Sequence, residues 1–211
     1  MVCSFRNMQE SLFYNSKDLQ IYDYGKLGYV KYYHSFFNIT DSKNLFMLLL
    51  TTIRWQQDKI NIMGKLIDIP RLTAWYGIND KSYTYSRIKM NPYRLTADLE
   101  FIKDKIETVT SSNFNSVLLN QYRNGNDSVD WHSDDEKELD ISSDIASVSF
   151  GVKRDFQIKP KEKGAKLENI PLRNGSLLIM SSPFQKNFIH RIPKRKKVLK
   201  PRINLTFRVI K

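Results

Sequence analysis

The spacing of apolar and polar positions changes character along this chain, and each change predicts an element. Residues 1–40 are rich in Tyr and Phe but weakly periodic, which predicts loop and short strand. A helix is expected to open after Asp41, an N-cap residue, and to run through KNLFMLLLTTIRW. INIMGKLIDIP, residues 60–70, alternates around Gly64 and ends at Pro70, the pattern of a hairpin or strand–turn. RLTAWYG and SYTYSRI predict two further strands, with turn-forming GINDK between them. A second helix is expected at 96–109, where Leu99, Ile102 and Ile106 recur at three and four and give one apolar face.

After that helix the period shortens. SVLLNQY, IASVSFGV, DFQIKP, SLLIM, FIHRI and RINLTFRVI follow one another, separated by turns rich in Gly, Asn, Asp and Pro. Many short strands at this spacing predict a sandwich or jelly roll. The expected class is α+β, mainly β, with N-terminal helices packed on a C-terminal β-domain. No repeat, low-complexity run or linker interrupts the pattern, so a single domain with an N-terminal extension is expected.

Composition narrows the function. The 211 residues, 41% hydrophobic and 27% charged, are enough to bury a core without staples. The lone cysteine, Cys3, excludes a disulfide framework and fits a reducing, intracellular setting: nucleus in a eukaryote, cytoplasm otherwise. The longest aliphatic run, Leu45 to Leu50, falls far short of the roughly 20 residues of a membrane span, and MVCSFRNMQE lacks a secretory stretch. No membrane partner is expected.

The net charge of +12 points to a polyanionic partner, and its distribution sharpens the point. Residues 186–211 hold ten Lys or Arg and no acid. Residues 127–144 hold eight acids against one Lys137. Either run alone reads as a solvated face. Together they place a cation-holding cluster beside His132 and a phosphate-holding stretch near the C-terminus.

Of the three histidines, His34, His132 and His190, the second opens a His-x-Asp tripeptide with Asp134, and the third follows on the strand-like FIHRI. Two imidazoles and a carboxylate can occupy one face of a metal, leaving open positions as in non-haem Fe(II) oxygenases. By itself such a tripeptide also fits a surface His beside an acidic turn. The last strand adds a second signal. Side chains repeat every two residues, so Arg202, Asn204, Thr206 and Arg208 share one face, while Ile203, Leu205, Phe207 and Val209 share the other. Two inward guanidiniums would be costly without an anion, and a dicarboxylate suits Arg well. A strand simply exposed on its polar side fits the same alternation. Asn120 and Tyr122 alternate in the same way on NQY.

Segments LLNQYRNGNDSVDWHSDDEKEL, IASVSFGVKRDF, NGSLLIM and RKKVLKPRINLTFR, in this order, resemble the AlkB family, and most closely its eukaryotic-type members that repair alkylated double-stranded DNA. The resemblance runs from about Ile60 to the C-terminus. It implies a double-stranded β-helix (jelly roll), Fe(II), and 2-oxoglutarate as cosubstrate with O2. It implies His132, Asp134 and His190 as the catalytic iron ligands. It assigns Arg202 and Arg208 to the cosubstrate carboxylates, and Asn120, Tyr122, Asn204 and Thr206 to its other hydrogen bonds. It makes Glu136 the carboxylate that reads the damaged base, and Tyr83 and Tyr85 part of the lining that stacks on it. Ile62-Met63-Gly64 matches a finger that wedges into the duplex; the family typically has Phe where this chain has Met63. Arg195-Lys196-Lys197 matches a basic loop that holds the opposite strand, and also fits a nuclear-localisation signal.

The implied layout is an extension with a helix at 1–53, a nucleotide-recognition lid and finger hairpin at 54–94, and the oxygenase core at 95–211. The implied activity is oxidative demethylation of 1-methyladenine and 3-methylcytosine in duplex DNA by a monomer, releasing formaldehyde, succinate and CO2. An RNA demethylase of the same fold and a nucleic-acid-binding module without turnover are the alternatives. An oxygenase acting on protein side chains fits the charge and the finger less well. His34, in KYYHSFF, is expected to be structural, and Trp131 to be a packing residue.

Overall fold

The computed structural model describes residues 18–78, 83–85, 88–90, 92–162 and 166–211, and the side chains of all of these but 62, 83–85 and 88–90. In chain order the elements are β1 (Leu19–Asp23), β2 (Tyr29–Tyr33), α1 (Ile39–Thr52), β3 (Lys59–Ile62), β4 (Lys65–Asp68) and β5 (Leu72–Gly77). β6 (Tyr83–Tyr85), β7 (Ile88–Met90), β8 (Tyr93–Arg94), α2 (Ala97–Glu107), β9 (Ser116–Tyr122) and β10 (Val129–His132) follow. The chain ends with β11 (Ile145–Gly151), β12 (Arg154–Pro160), β13 (Glu168–Leu172), β14 (Ser176–Met180), α3 (Phe184–Asn187), β15 (Phe188–Ile192) and β16 (Arg202–Arg208).

Two sheets carry the architecture. The larger has eight strands in the order β1-β2-β14-β11-β16-β9-β5-β8, and the smaller has four, β10-β15-β12-β13. Every pairing is antiparallel except the short β5–β8 contact at one edge. One face of the large sheet, with Leu119, Val148, Ile203, Leu205 and Phe207, packs on Leu45 and Leu49 of α1 and Leu99, Ile102 and Ile106 of α2. The other face meets the small sheet through Tyr122, Met180, Phe156, Ile170 and Ile192. The order is therefore helices, large sheet, inter-sheet core, small sheet. The large sheet is covered on both sides, so β16 is buried at all seven positions and not exposed along its polar face.

Local chemistry sets the helix ends. α1 starts earlier than an Asp41 N-cap would place it. Asn38 is the cap, its side chain accepting the Asp41 N–H at 2.8 Å, and Asp41 lies in the first turn, where a negative charge favours the helix dipole. α1 ends at Thr52, short of Trp55. Thr96 caps α2 by accepting the Leu99 N–H, and the helix covers 97–107 rather than 96–109. The expected strand SYTYSRI is two short strands, β6 and β7, paired with each other. β10 and β13 had no clear signal: β10 is four residues and irregular in register, and β13 contains Pro171. The weakly periodic N-terminal stretch supplies β1 and β2, and β2 pairs with β14 in the large sheet.

A loop–loop contact fixes the C-terminal basic stretch. The Gly125 N–H donates to the Val198 carbonyl, and the Arg195 N–H donates to the Gly125 carbonyl, both at 2.7 Å. A Cβ on Gly125 would lie 1.8 Å from the Arg195 carbonyl oxygen, so only glycine permits this approach. Beneath it the buried Arg154 donates to the carbonyls of Asn124, Asp127 and Pro193. Gly125→Ala should destabilise the fold by about 1–3 kcal/mol through overpacking, read by chemical denaturation. Wild-type stability would mean that the two loops part at no cost.

Candidate active site

His132 ends β10 and His190 lies on β15 directly opposite it, so strand pairing alone brings the two imidazoles together, with ring centroids 4.3 Å apart. Asp134 follows in the turn, its N–H donating to Gln185 Oε1 at 3.0 Å. His132 Nδ1 donates to the Asp130 carbonyl at 2.7 Å. That fixes the tautomer and leaves Nε2, 3.8 Å from Asp134 Oδ1, with its lone pair toward the cluster. Donor atoms of His132, Asp134 and His190 all lie within 4.8 Å of one another, the one such group among the described residues.

Electrostatics hold these groups in ligating form. Burial, reinforced by the neighbouring His132, pushes His190 down to about 3. Burial lowers His132 as well. For Asp134, burial opposes ionisation, but Arg208, with Nη2 2.8 Å from Oδ1, and the two imidazoles outweigh it and hold the carboxyl below its usual range. At neutral pH the cluster is two neutral imidazoles and a carboxylate, the forms a metal binds.

The opposite wall is the inner face of the large sheet. On β16 and β9, Arg202 pairs with Tyr122 and Asn204 with Asn120 in register. On the other side of β16, Ser147 and Ser149 of β11 pair with Thr206 and Asn204. Arg202 donates Nη2 to Ser149 Oγ at 2.9 Å and stands 5.1 Å from the Tyr122 ring centroid. Its Nε and Nη1 are buried with no hydrogen-bond partner among the described residues. Burial lowers its pKa to about 10, so it keeps its charge at neutral pH. Asn204 Nδ2 donates to Ser147 Oγ at 2.8 Å, and Thr206 Oγ1 donates to Asn204 Oδ1 at 3.3 Å.

One pocket is lined by all nine residues expected for iron and cosubstrate: His132, Asp134, His190, Asn120, Tyr122, Arg202, Asn204, Thr206 and Arg208. Ser147, Ser149, Gln185, Arg154 and Arg71 were not foreseen. The polar alternation within IASVSF was the available signal for the two serines. No local pattern marks the others.

A groove on the outside meets this pocket at His132 and is lined by Glu136, Ile60, Ile69, Arg71, Trp131, Arg191 and Lys194. Ile60 belongs to the hairpin β3–β4, whose two-residue turn is Met63-Gly64, both at positive φ (50° and 80°). Gly64 adopts this conformation freely, while Met63 does so with strain. Met63 is 100% exposed, which excludes inward packing, and Leu66 and Ile67 are exposed beside it. Ile62 lies at the end of β3, and its side chain is outside the described residues. Tyr83 and Tyr85 fall on β6, with side chains likewise outside them. On the basic loop, Arg195 is held by Asp155 at 2.7 Å, while Lys196 and Lys197 are exposed. Trp131 stacks against Lys159 and Arg191, each 4.4 Å from its ring centroid, as a packing residue of the small sheet. His34 contacts Tyr32 at a ring-centroid distance of 4.5 Å and is not part of the pocket.

The chain is similar to known proteins. The family model of the 2OG-Fe(II) oxygenase superfamily matches residues 29–208. The human DNA oxidative demethylase ALKBH2 is 42% identical over 159 residues, covering 72% of this chain and 61% of that protein. The mouse alpha-ketoglutarate-dependent dioxygenase alkB homolog 3 is 42% identical over 192 residues, covering 84% of this chain and 65% of that protein. The Arabidopsis thaliana DNA oxidative demethylase ALKBH2 is 32% identical over 222 residues, 93% of this chain and 71% of that protein. The chain thus spans less than two thirds of the length of the two mammalian relatives. The solved structure of OsALKBH1 superposes with a TM-score of 0.63 over 90% of this chain and 99% of that one, at 15% identity, and so shares the fold.

A jelly roll with two histidines and an aspartate converging between its sheets defines an Fe(II) oxygenase. The chain belongs to the 2OG-Fe(II) oxygenase superfamily, in its AlkB branch. Fe(II), 2-oxoglutarate and O2 go with that membership. The residues present fit them: the donor set suits a borderline-soft divalent ion, and the unpartnered donors of Arg202 suit a carboxylate.

Replacing His132, Asp134 or His190 by Ala should weaken binding of Mn(II), a probe for Fe(II), by roughly a hundredfold or more, exceeding the usual effect of residues that merely orient ligands. Titration of the purified variants checks this, and wild-type affinity in any one of them would remove that residue from the ligand set.

Proposed function

We propose that the protein is an Fe(II)- and 2-oxoglutarate-dependent dioxygenase that demethylates N-alkylated bases, 1-methyladenine and 3-methylcytosine, in duplex DNA. The similarity to the DNA oxidative demethylases ALKBH2 of cattle and human supports DNA as the substrate. The observation that carries the reading is the groove: it meets the triad at His132, Glu136 lines it, and the hairpin beside it ends in a strained, fully exposed Met63.

His132, Asp134 and His190 would hold the iron, and Arg202 and Arg208 with Tyr122, Asn120, Asn204 and Thr206 would hold 2-oxoglutarate. Iron with O2 and 2-oxoglutarate supplies an oxidant that hydroxylates the N-methyl carbon, with CO2 and succinate as co-products. Arg208 fixes the Asp134 carboxylate by its ion pair. Arg202 neutralises a carboxylate of the cosubstrate inside the dry inter-sheet space. Glu136 accepts a hydrogen bond from the exocyclic nitrogen of the base. The hydroxymethyl group then leaves nitrogen as formaldehyde, restoring the base.

Met63 serves as the wedge. Flipping a base from a duplex costs a few kcal/mol in unstacking, and less when the base is methylated and unpaired. An exposed thioether on a hairpin stiffened by its turn can fill the space left behind. Lys196 and Lys197 contact phosphates of the opposite strand, releasing counterions, and the protein acts as a monomer. Met63→Ala should lower formaldehyde release from methylated duplex by about tenfold or more while keeping most activity on methylated single strands. Met63→Phe should match or exceed wild type on duplex. Parallel loss on both substrates, with a lowered melting temperature, would refute the wedge.

A further inference from the structure

Arg71 lies at the base of the hairpin, between β4 and β5, and is almost completely buried at 5% exposure. Its Nε donates to Asn120 Oδ1 at 2.7 Å, and its Nη1 to the Ser128 carbonyl at 3.4 Å. Among the described residues, no carboxylate lies within ion-pair distance of it. Arg71 lines the groove with His132 and Glu136, and its bonding partner Asn120 lines the triad pocket.

A side-chain amide has two ends of nearly equal size and opposite polarity. Facing an anionic cosubstrate, an NH2 end attracts and a C=O end repels. Asn120 occupies a buried position opposite Asn204 on β16 and Thr73 on β5. The Arg71 N–H can be accepted only by the amide oxygen. It therefore leaves the NH2 as the end available to the pocket. The backbone around Arg71 is held just as firmly. The Arg71 N–H donates to the Ile69 carbonyl at 2.8 Å, and the Ser128 N–H donates to the Pro70 carbonyl at 2.9 Å. Gln57 Nε2 donates to the carbonyls of Ile69 and Arg71 at 2.7 and 3.3 Å.

We propose that Arg71 is a positioning residue for the cosubstrate: from the base of the hairpin it locks the Asn120 amide with its NH2 toward the 2-oxoglutarate pocket. The inference rests on reading that pocket as the cosubstrate site. It gives the chain a direct mechanical link from the nucleic-acid hairpin to cosubstrate binding, two bonds long.

The test is calorimetry of 2-oxoglutarate with the full chain loaded with Mn(II), without nucleic acid. Wild type, Arg71→Met, Asn120→Ala and the double variant are compared, each beside a thermal melt. Arg71→Met should bind 2-oxoglutarate roughly tenfold more weakly, as expected for loss of a charge-assisted hydrogen bond. The double variant should bind no more weakly than Asn120→Ala, because Arg71 acts through that amide. A residue that only anchored the hairpin would leave affinity unchanged or would multiply with Asn120→Ala, and either result overturns the proposal. If Arg71→Met does not fold, Arg71→Lys keeps the buried charge without the planar fork and should still lose severalfold in the same cycle. No 2-oxoglutarate binding by wild type would overturn the pocket reading itself.

Discussion

The burial of Arg202 is the constraint on which the rest of the site depends. Its guanidinium sits between two sheets at 1% exposure, with a bond to Ser149 Oγ and two nitrogens without acceptors among the described residues. Stripping a cation of water is expensive unless an anion takes its place. The Tyr122 ring offsets part of that cost, and the charge of Arg154, which lies near the same ring, adds to it. A fold that keeps this arrangement holds a receptor for a carboxylate inside its core. The rest follows from where that receptor lies. The same strand carries Arg208 to Asp134, and Asp134 lies beside the paired histidines. The proposed anion site and metal site are thus joined through one strand, β16, whose other face belongs to the hydrophobic core.

Much of this was legible in the sequence because strand alternation is a strict geometric rule. Arg202, Asn204, Thr206 and Arg208 at every second position had to share a face, and the apolar positions between them the other. Asn120 and Tyr122 follow the same rule on the neighbouring strand, and α2 shows its buried face through Leu99, Ile102 and Ile106. What the sequence concealed was long-range. Nothing near Arg71 in the chain announces that it reaches Asn120, 49 positions away. Gln185 meets Asp134 across 51 positions. β10 is too short and irregular to alternate, although it carries His132. The helix start slipped from Asp41 to Asn38 because both residue types cap, and only the chain's entry geometry chooses between them.

The hairpin β3–β4 inverts the usual economy of apolar residues. Met63, Leu66 and Ile67 are exposed, and Met63 holds a left-handed backbone that a glycine would adopt without strain. Exposed apolar surface and a strained turn are both unfavourable in the isolated fold, and the proposed wedge role of the hairpin gives both a reason. The base of the same hairpin is tied down by Gln57, Ser128 and Arg71, and Arg71 is bonded in turn to Asn120 in the wall of the pocket. The basic loop is pinned by Gly125 and Arg154, leaving Lys196 and Lys197 outward.

The central claim is that the pocket removes methyl groups from bases by oxidation. It is tested most directly by incubating the protein with Fe(II), 2-oxoglutarate and a duplex carrying a single 1-methyladenine, and counting products. The account predicts formaldehyde and restored adenine in equal amounts, both absent when 2-oxoglutarate is omitted. Succinate formed while 1-methyladenine stays intact in duplex and single strand alike would contradict it.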